Sequence, residues 1–378
     1  MTDFLIIARS GRALAASAKR AGYCVHVIDC FADEDTRSLS ESVRQLQYHC
    51  DGFAEEQLLE YARDIISRHA NITVVVGSGF EANPDLFDKL SELAPVISNR
   101  KNTVVSLKEP ASFCEILSKA AIRHPGISLL RPIDSNKWLI KKVAGIGGEH
   151  VQRLDQVSSD SESDFYYQEY ISGVTSSVVF LANGSHANIV GFNQQLQTDQ
   201  FSDMPFLYQG AVSVNVTTDQ HKHVIEELIN KITDKTRLTG LCGLDYIIDE
   251  KDEIVVLEIN PRPPSTFELH ESEQSLFDAH LACFDGRLLD YTCHSEGDNN
   301  EKSRGYAILY AKENLQICDN IDWPLWVKDR PSSGRVIPVK FPVCSVHGRE
   351  NSIDKLKAVL FNRLDQIESF IVSMQNAA

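Results

Sequence analysis

The feature that most constrains the fold is the alternation of short apolar runs with a helical segment at the start of the chain. Residues 4–8 are apolar, Ser10-Gly11-Arg12 forms a turn, residues 13–21 make an alanine-rich helix stopped by Gly22, and residues 23–28 are a second apolar run closed by Asp29. This is a β-turn-α-β unit, and its strands must be parallel because the helix carries the chain back along the sheet. A further strand at 72–76 and helix at 84–93 extend the pattern, so a parallel α/β sheet is expected. A glycine turn followed by an acidic residue imitates a dinucleotide site. Gly11 stands alone, however, where Gly-x-Gly-x-x-Gly is needed to cradle a pyrophosphate. The turn is expected to be structural or to face a substrate, because loops at strand C-termini line the crevice of a parallel sheet. Ser10, Gly11 and Arg12 are therefore candidate substrate contacts.

Beyond residue 100 the pattern changes from α/β to α+β. A helix is predicted over 110–121, and a strand over 138–143 leads through Gly145-Ile146-Gly147-Gly148 to an extended run at 151–154, a hairpin with a glycine tip. Residues 155–164 hold four serines and four acidic residues, which suits a mobile surface loop. Strands follow at 165–171, 176–181, 187–192 and 211–216, then a helix at 219–236. A hairpin pairs 246–248 with 254–259, and another helix is expected over 266–283. A polar linker at 295–304 precedes short strands, proline turns and a last helix at 352–374. The 378 residues suit two or three domains.

The chemistry concentrates where the predicted hairpin ends, at Leu257-Glu258-Ile259-Asn260-Pro261-Arg262. Residues two apart on a strand point the same way, so the Glu258 carboxylate and the Asn260 amide oxygen converge. Hard oxygens at that spacing suit Mg²⁺ or Mn²⁺, and Asp245 on the partner strand offers another. An ordinary surface hairpin has the same local appearance. Arg262, beyond the rigid Pro261, can hold anionic oxygens bidentately, although a simple salt bridge serves it equally well. Upstream, Lys141 followed by the glycine tip offers a cation and unobstructed backbone amides, with Gly147 and Gly148 nearest to a phosphate. The segment Gln168-Glu169-Tyr170-Ile171 can present backbone groups to an adenine edge while apolar neighbours cover its faces. His150, Arg304 and the aromatic segment 198–210 are further substrate-side candidates, each with solvent exposure or core packing as the alternative.

Bulk properties exclude several classes. A net charge of −16 with scattered basic residues gains nothing from counterion release, so nucleic acid is not an expected partner. Nine cysteines without a Cys-x-x-Cys pair suit reduced thiols in a cytoplasmic protein rather than a disulfide framework or a zinc site; Cys293-His294 lacks a partner pair at ligand spacing, and Cys344 is expected to be structural. The N-terminus lacks the basic start and long apolar stretch of a signal peptide, and no apolar run approaches a bilayer span.

Asn99 with Lys108, Lys141 with the glycine turn, Gln168 to Ile171 with Gly173, Asp245, and Glu258 to Arg262, in that order, resemble the ATP-grasp superfamily over about residues 1–290. The resemblance implies a pre-ATP-grasp domain at 1–100, an ATP-grasp domain at 101–300 with a mobile lid over about 105–170, and a small closing domain at 301–378. It implies ATP contacts from Lys108, Lys141, Gly147, Gly148 and Gln168 to Ile171, metal ligation by Asp245, Glu258 and Asn260, and catalysis by Arg262 and Lys141. Many relatives carry a second acidic residue for the ribose where this chain reads Gly173-Val174-Thr175-Ser176, so that contact has no counterpart. The tail around residues 334–346 is similar to the carboxylase-related branch of ligases, and there is some similarity to ATP-grasp proteins of one-carbon carrier biosynthesis, which suggests glutamate attachment.

The expected reaction joins a small-molecule carboxylate to an amine through an acylphosphate, in a cytoplasmic enzyme for which a homodimer is an open option, without membrane or nucleic acid. Bicarbonate as the activated acid, a non-catalytic nucleotide-binding module, and a dinucleotide oxidoreductase are the rivals. No Ser/His/Asp or Cys/His constellation competes, and acyl-phosphate chemistry needs no nucleophilic side chain.

Overall fold

The computed structural model describes residues 3–49, 52–157, 164–197, 200–214, 218–291, 302–319 and 321–377. The N-terminal unit is a five-stranded sheet in the order Ser42–Gln45, Cys24–Asp29, Asp3–Ala8, Ile72–Val76 and Val96–Ile97, with every pair parallel. Strand order reverses at Asp3–Ala8: the next strand in sequence lies on one side of it and Ile72–Val76 on the other. The loops leaving these two strands, residues 9–11 and 77–81, therefore open a crevice at a topological switch point. Both faces of the sheet are covered, so Leu5, Ile7, Val74 and Val76 enter one core while Phe4, Ile6 and Val75 enter another. Near-continuous apolar strands result.

A small antiparallel sheet follows, in the order Val151–Arg153, Trp138–Lys142, Phe165–Glu169, Ile127–Ser128. Its core is only Ile140, Leu154 and Tyr167 with three half-buried neighbours. The third sheet has eight strands, in the order Ile254–Asn260, Thr239–Asp249, Gly173–Asn183, Ala187–Gln195, Gly210–Val214, Ser303–Tyr310, Pro342–Glu350, Val327–Lys328. In Gly173–Asn183 the alternation assigns Val178, Phe180 and Ala182 to the face covered by helices Pro110–Lys119 and Asp219–Thr236. Val179 and Leu181 point to the other face, under helices Arg12–Arg20 and Leu276–Phe284. The C-terminal strands continue this same sheet, since Gly210–Val214 pairs directly with Ser303–Tyr310. The last helix, Ile353–Ala377, packs on them through Leu356, Leu360, Leu364 and Ile367.

One expected element is divided. The helix foreseen over 266–283 is a 3-10 segment, Ser265–His270, and a separate α-helix, Leu276–Phe284. Ser275 caps the second by accepting from the amides of Phe277 and Asp278, and Glu271 accepts from the Leu276 amide at 3.1 Å. Lys101–Lys108 is a helix of its own before Pro110, whose ring disfavours helical backbone at Glu109. Residues 158–163 of the expected mobile loop, 198–199 of the aromatic segment, 295–301 of the expected linker and Cys293-His294 lie outside the described residues. Cys344 is buried and unbridged, and burial pushes its thiol pKa up, so it is inert packing. Among the described residues no helix is long and apolar enough to cross a membrane.

Candidate active site

Two antiparallel strands build the centre of the site. Asp245 in Thr239–Asp249 lies directly opposite Glu258 in Ile254–Asn260, and the register shifts just after Asp245. Opposed residues on adjacent strands project to one side, so two carboxylates meet at a bulge, where pairing irregularities re-aim side chains. Asn260 donates from Nδ2 to Asp245 Oδ2 at 3.0 Å, which leaves its Oδ1 to accept from other groups. Lys108, at the end of its helix, donates to Glu258 Oε1 and, at 3.1 Å, to Asn260 Oδ1. Arg262 Nη2 reaches the same Oδ1 at 3.2 Å. Two carboxylates, one amide oxygen and two cations thus share a single corner.

The charges are unequal in effect. Burial penalises both carboxylates, but Lys108, Lys141 and Arg262 more than offset this at Glu258, whose pKa falls below the usual range. Asp245 is pushed up to about 7 by burial and by the Glu258 anion. A cation meeting both groups would favour their ionised forms.

Arg262 is fixed from the N-terminal unit. Its Nε donates to Glu81 Oε1 at 2.8 Å, and Glu81, buried in the loop after Ile72–Val76, also accepts from the Gly79 amide at 2.8 Å. Sequence reasoning missed Glu81; the available signal was an acidic residue just past a parallel strand's C-terminal end in a glycine turn. Asn99 is structural: its side chain donates to the carbonyls of Thr239 and Pro261 and accepts from the Thr239 amide, tying the strand bearing Cys242 to the turn bearing Arg262.

Lys141 faces this corner from the small sheet. It donates to Gln168 Oε1 at 3.0 Å and lies over the Tyr166 ring, and its pKa is lowered by burial, with Glu258 and Asp245 opposing the shift. Of the predicted adenine segment, the amides of Glu169 and Tyr170 are already bonded, to the carbonyls of Gly126 and Lys137 at 2.8 Å each. Arg153 stacks on the exposed Tyr170 ring, 4.4 Å from its centroid. The glycine tip is docked against both large units. The Gly147 carbonyl accepts from the Tyr208 amide at 2.9 Å, and Glu149 pairs with Arg9 at 3.0 Å. Gly148 has φ +77°, and a Cβ there would lie 1.9 Å from the Phe206 carbonyl oxygen, so no other residue fits this docked form. His150 packs under Gly145, and burial and Lys141 drive its pKa down to about 4, so it carries no charge toward a substrate at neutral pH.

The other substrate candidates go elsewhere. Gly11 donates to Asp29 Oδ2 at 2.9 Å, and Asp29, fully buried, also accepts from Phe31 and Ala32. The acidic residue of the supposed dinucleotide motif is therefore consumed by its own turn, with burial raising it to about 6. Arg12 is buried and donates twice to Glu268, at 2.9 and 2.6 Å, and once to Asp329 at 2.6 Å, while Ser10 stays exposed beside it. The Arg12 guanidinium joins the first turn to the C-terminal part and does not enter the carboxylate corner. Arg304 is held by the Glu271 carbonyl at 2.5 Å. The described part of the aromatic segment lies between glycine tip and C-terminal sheet, with the Tyr208 hydroxyl 2.7 Å from that of Tyr306.

The family model described as an ATP-grasp domain matches residues 111–266. Among solved structures, an L-amino acid ligase from Bacillus licheniformis superposes with TM-score 0.69 at 13% identity, over 97% of each chain. The biotin carboxylase domain of Hydrogenobacter thermophilus 2-oxoglutarate carboxylase gives 0.69 at 13% identity, over 96% of this chain and 88% of that one. An N5-carboxyaminoimidazole synthetase from Staphylococcus aureus, solved with ADP, gives 0.65 at 16% identity, over 97% and 98%. A search of curated protein sequences finds no significant match. At these identities the likeness to solved structures is one of fold. The chain thus carries an ATP-grasp domain over residues 111–266, within an overall fold similar to that of these ATP-grasp enzymes.

Proposed function

We propose that this chain is an ATP-dependent ligase that activates a carboxylate as its acylphosphate and transfers the acyl group to an amine, releasing ADP and phosphate. The observation that carries this reading is the convergence of Asp245, Glu258, Asn260, Lys108 and Arg262 from three separate parts of the fold. Asp245, Glu258 and Asn260 are hard oxygen donors suited to Mg²⁺ or Mn²⁺, and the cationic groups bonded to those oxygens support a cation-binding corner. When bound, such an ion neutralises phosphate charge and orients the triphosphate.

In this reading Lys141 and the amides of Gly147 and Gly148 hold the phosphates, with Gln168 to Ile171 along the adenine edge and the lid spanning about 105–170. Lys108 leaves the Glu258 and Asn260 oxygens to meet phosphate. A substrate carboxylate oxygen attacks the γ-phosphorus, the bond to the β,γ-bridging oxygen breaks, and ADP departs. Arg262, aimed by Glu81, stabilises charge on the transferring phosphoryl oxygens. An amine nitrogen then attacks the acyl carbon, phosphate leaves with its oxygen, and the nitrogen loses a proton. No protein nucleophile is needed.

The likeness to carboxylases over nearly the whole chain supports a second reading, in which bicarbonate is the activated acid. ADP release measured against pools of carboxylates, amino acids including glutamate, and bicarbonate separates the two, with product mass identifying the acceptor. Glu258→Ala and Arg262→Ala are expected to abolish that turnover; unchanged rates in both variants would overturn the proposed chemistry.

A further inference from the structure

We infer that the N-terminal sheet carries a second, separate metal site, a transition-metal site of the zinc class built from Asp3, His26 and His69. The three residues come from different elements. Asp3 opens the first strand, His26 stands in the neighbouring strand opposite Leu5, and His69 lies just before the strand whose Ile72 pairs with Asp3. One donor atom from each can be chosen so that all lie within 4.8 Å of one another. Ligands around Zn²⁺ sit at ~2.0–2.2 Å from the ion, so side-chain movements of about an ångström close the set.

The His26 ring gives the independent indication of a ligand. It is 4% exposed, and its Nε2 is buried with no hydrogen-bond partner among the described residues. Its other nitrogen, Nδ1, is 2.8 Å from Ser42 Oγ. One nitrogen anchored by a hydroxyl and the other left bare is the arrangement of a ligating imidazole, whose outer contact fixes the ring and the tautomer. Leaving a buried polar atom without a partner is costly, and a metal bond removes that cost. The His69 ring lies 4.2 Å from that of His26 by centroid, and its Nδ1 is 3.0 Å from Asp3 Oδ2. That carboxylate is thus placed to ligate directly or to orient His69. Imidazoles favour zinc, cobalt, nickel and copper over magnesium, which prefers an all-oxygen shell. Cys24, paired with Asp3 in register and two residues from His26, places a further soft donor on the same strand.

The site is remote from the carboxylate corner. It lies toward the N-terminal ends of parallel strands, whereas the loops that meet Arg262 and Glu149 leave their C-terminal ends. Its effect is therefore to clamp three elements of the N-terminal sheet rather than to act in turnover.

The test uses the tag-free full chain, stripped with chelator and then loaded with Zn²⁺ in excess Mg²⁺, so that the acidic corner is occupied. Bound zinc is counted after gel filtration, and affinity is measured by calorimetry. Wild type and Glu258→Gln are expected to retain one zinc per chain, with the ion raising the thermal midpoint. His69→Ala, a change at a half-exposed position that preserves the core, and His26→Gln should weaken binding at least about tenfold and lose that thermal shift. No zinc retained by wild type, or equal retention by a folded His69→Ala chain, meaning adventitious zinc only, overturns the inference.

Discussion

Lys108→Met removes the ammonium between the Glu258 and Asn260 oxygens while keeping an apolar stem of similar length. The Lys108 side chain is 6% exposed and that of Glu258 is 35% exposed. Breaking a fully buried pair costs ~3–5 kcal/mol, whereas an exposed pair contributes ~0–1 kcal/mol. With one partner buried and the other one-third in water, the expected cost is ~1–3 kcal/mol. The loss appears when no divalent ion is present, because Asp245 and Glu258 then face each other with only Arg262 and Lys141 to compensate them. A divalent ion no longer competes with the ammonium, and at 100 times its dissociation constant it returns ~2.7 kcal/mol. Thermal unfolding followed by circular dichroism, in chelator and in Mg²⁺, measures both effects. The variant is expected to melt below wild type in chelator by ~1–4 °C and to gain more from Mg²⁺ than wild type does. Identical Mg²⁺ shifts in both chains, or no loss in chelator, would refute the reasoning that this corner is built for a cation.

Glu81→Gln leaves Arg262 without its buried anion, and because Glu81 acts only by aiming the guanidinium, kcat is expected to fall about tenfold, ~1.4 kcal/mol, with the KM for ATP nearly unchanged. Gly148→Ala forces a Cβ against the Phe206 carbonyl, so the glycine tip cannot dock and the KM for ATP should rise several-fold with stability unaltered; steady-state kinetics and thermal melting check this. Arg12→Met removes the buried cation shared by Glu268 and Asp329, leaving Glu268 only Lys328 at 3.4 Å, and should destabilise the chain by ~3 kcal/mol in urea unfolding. Burial opposes the Glu268 anion, but Arg12, His347 and Lys328 hold its pKa below the usual range. The resulting stabilisation is complete above the unfolded pKa of ~4.3 and disappears as pH falls below it toward the folded value; Arg12→Met should flatten that acid limb of the stability curve.

The parts of the site legible in the sequence were those set by local geometry. Period-two alternation was enough to bring Glu258 and Asn260 to one side of a strand and to propose Asp245 across the hairpin, and the structure pairs Asp245 with Glu258 in register. Lysine before a glycine turn likewise located Lys141 at the mouth of a hairpin, with Val151 opposite it. What the sequence hid depends on contacts between distant elements. Glu81 meets Arg262 across 181 positions, Arg9 meets Glu149 across 140, and Arg12 meets Asp329 across 317. A lone charged residue in a turn carries no local mark of its partner, which is why Arg12 read as a substrate contact and is instead joined to the C-terminal part. The predicted helix over 266–283 failed for a local reason: Ser275 and Glu271 compete for the amides that a continuous helix would have used. His26 hid its character because an alternating strand histidine looks like any core residue until Nε2 is found unpartnered.

The most direct test of the central claim follows oxygen rather than rate. Carboxylate substrates labelled with ¹⁸O are offered with ATP, Mg²⁺ and an amine pool, and the released phosphate is weighed by mass spectrometry. Attack by a carboxylate oxygen on the γ-phosphorus predicts one labelled oxygen in each phosphate, ADP as the nucleotide product, and loss of both in Arg262→Ala. Unlabelled phosphate, or AMP with pyrophosphate, would contradict the account.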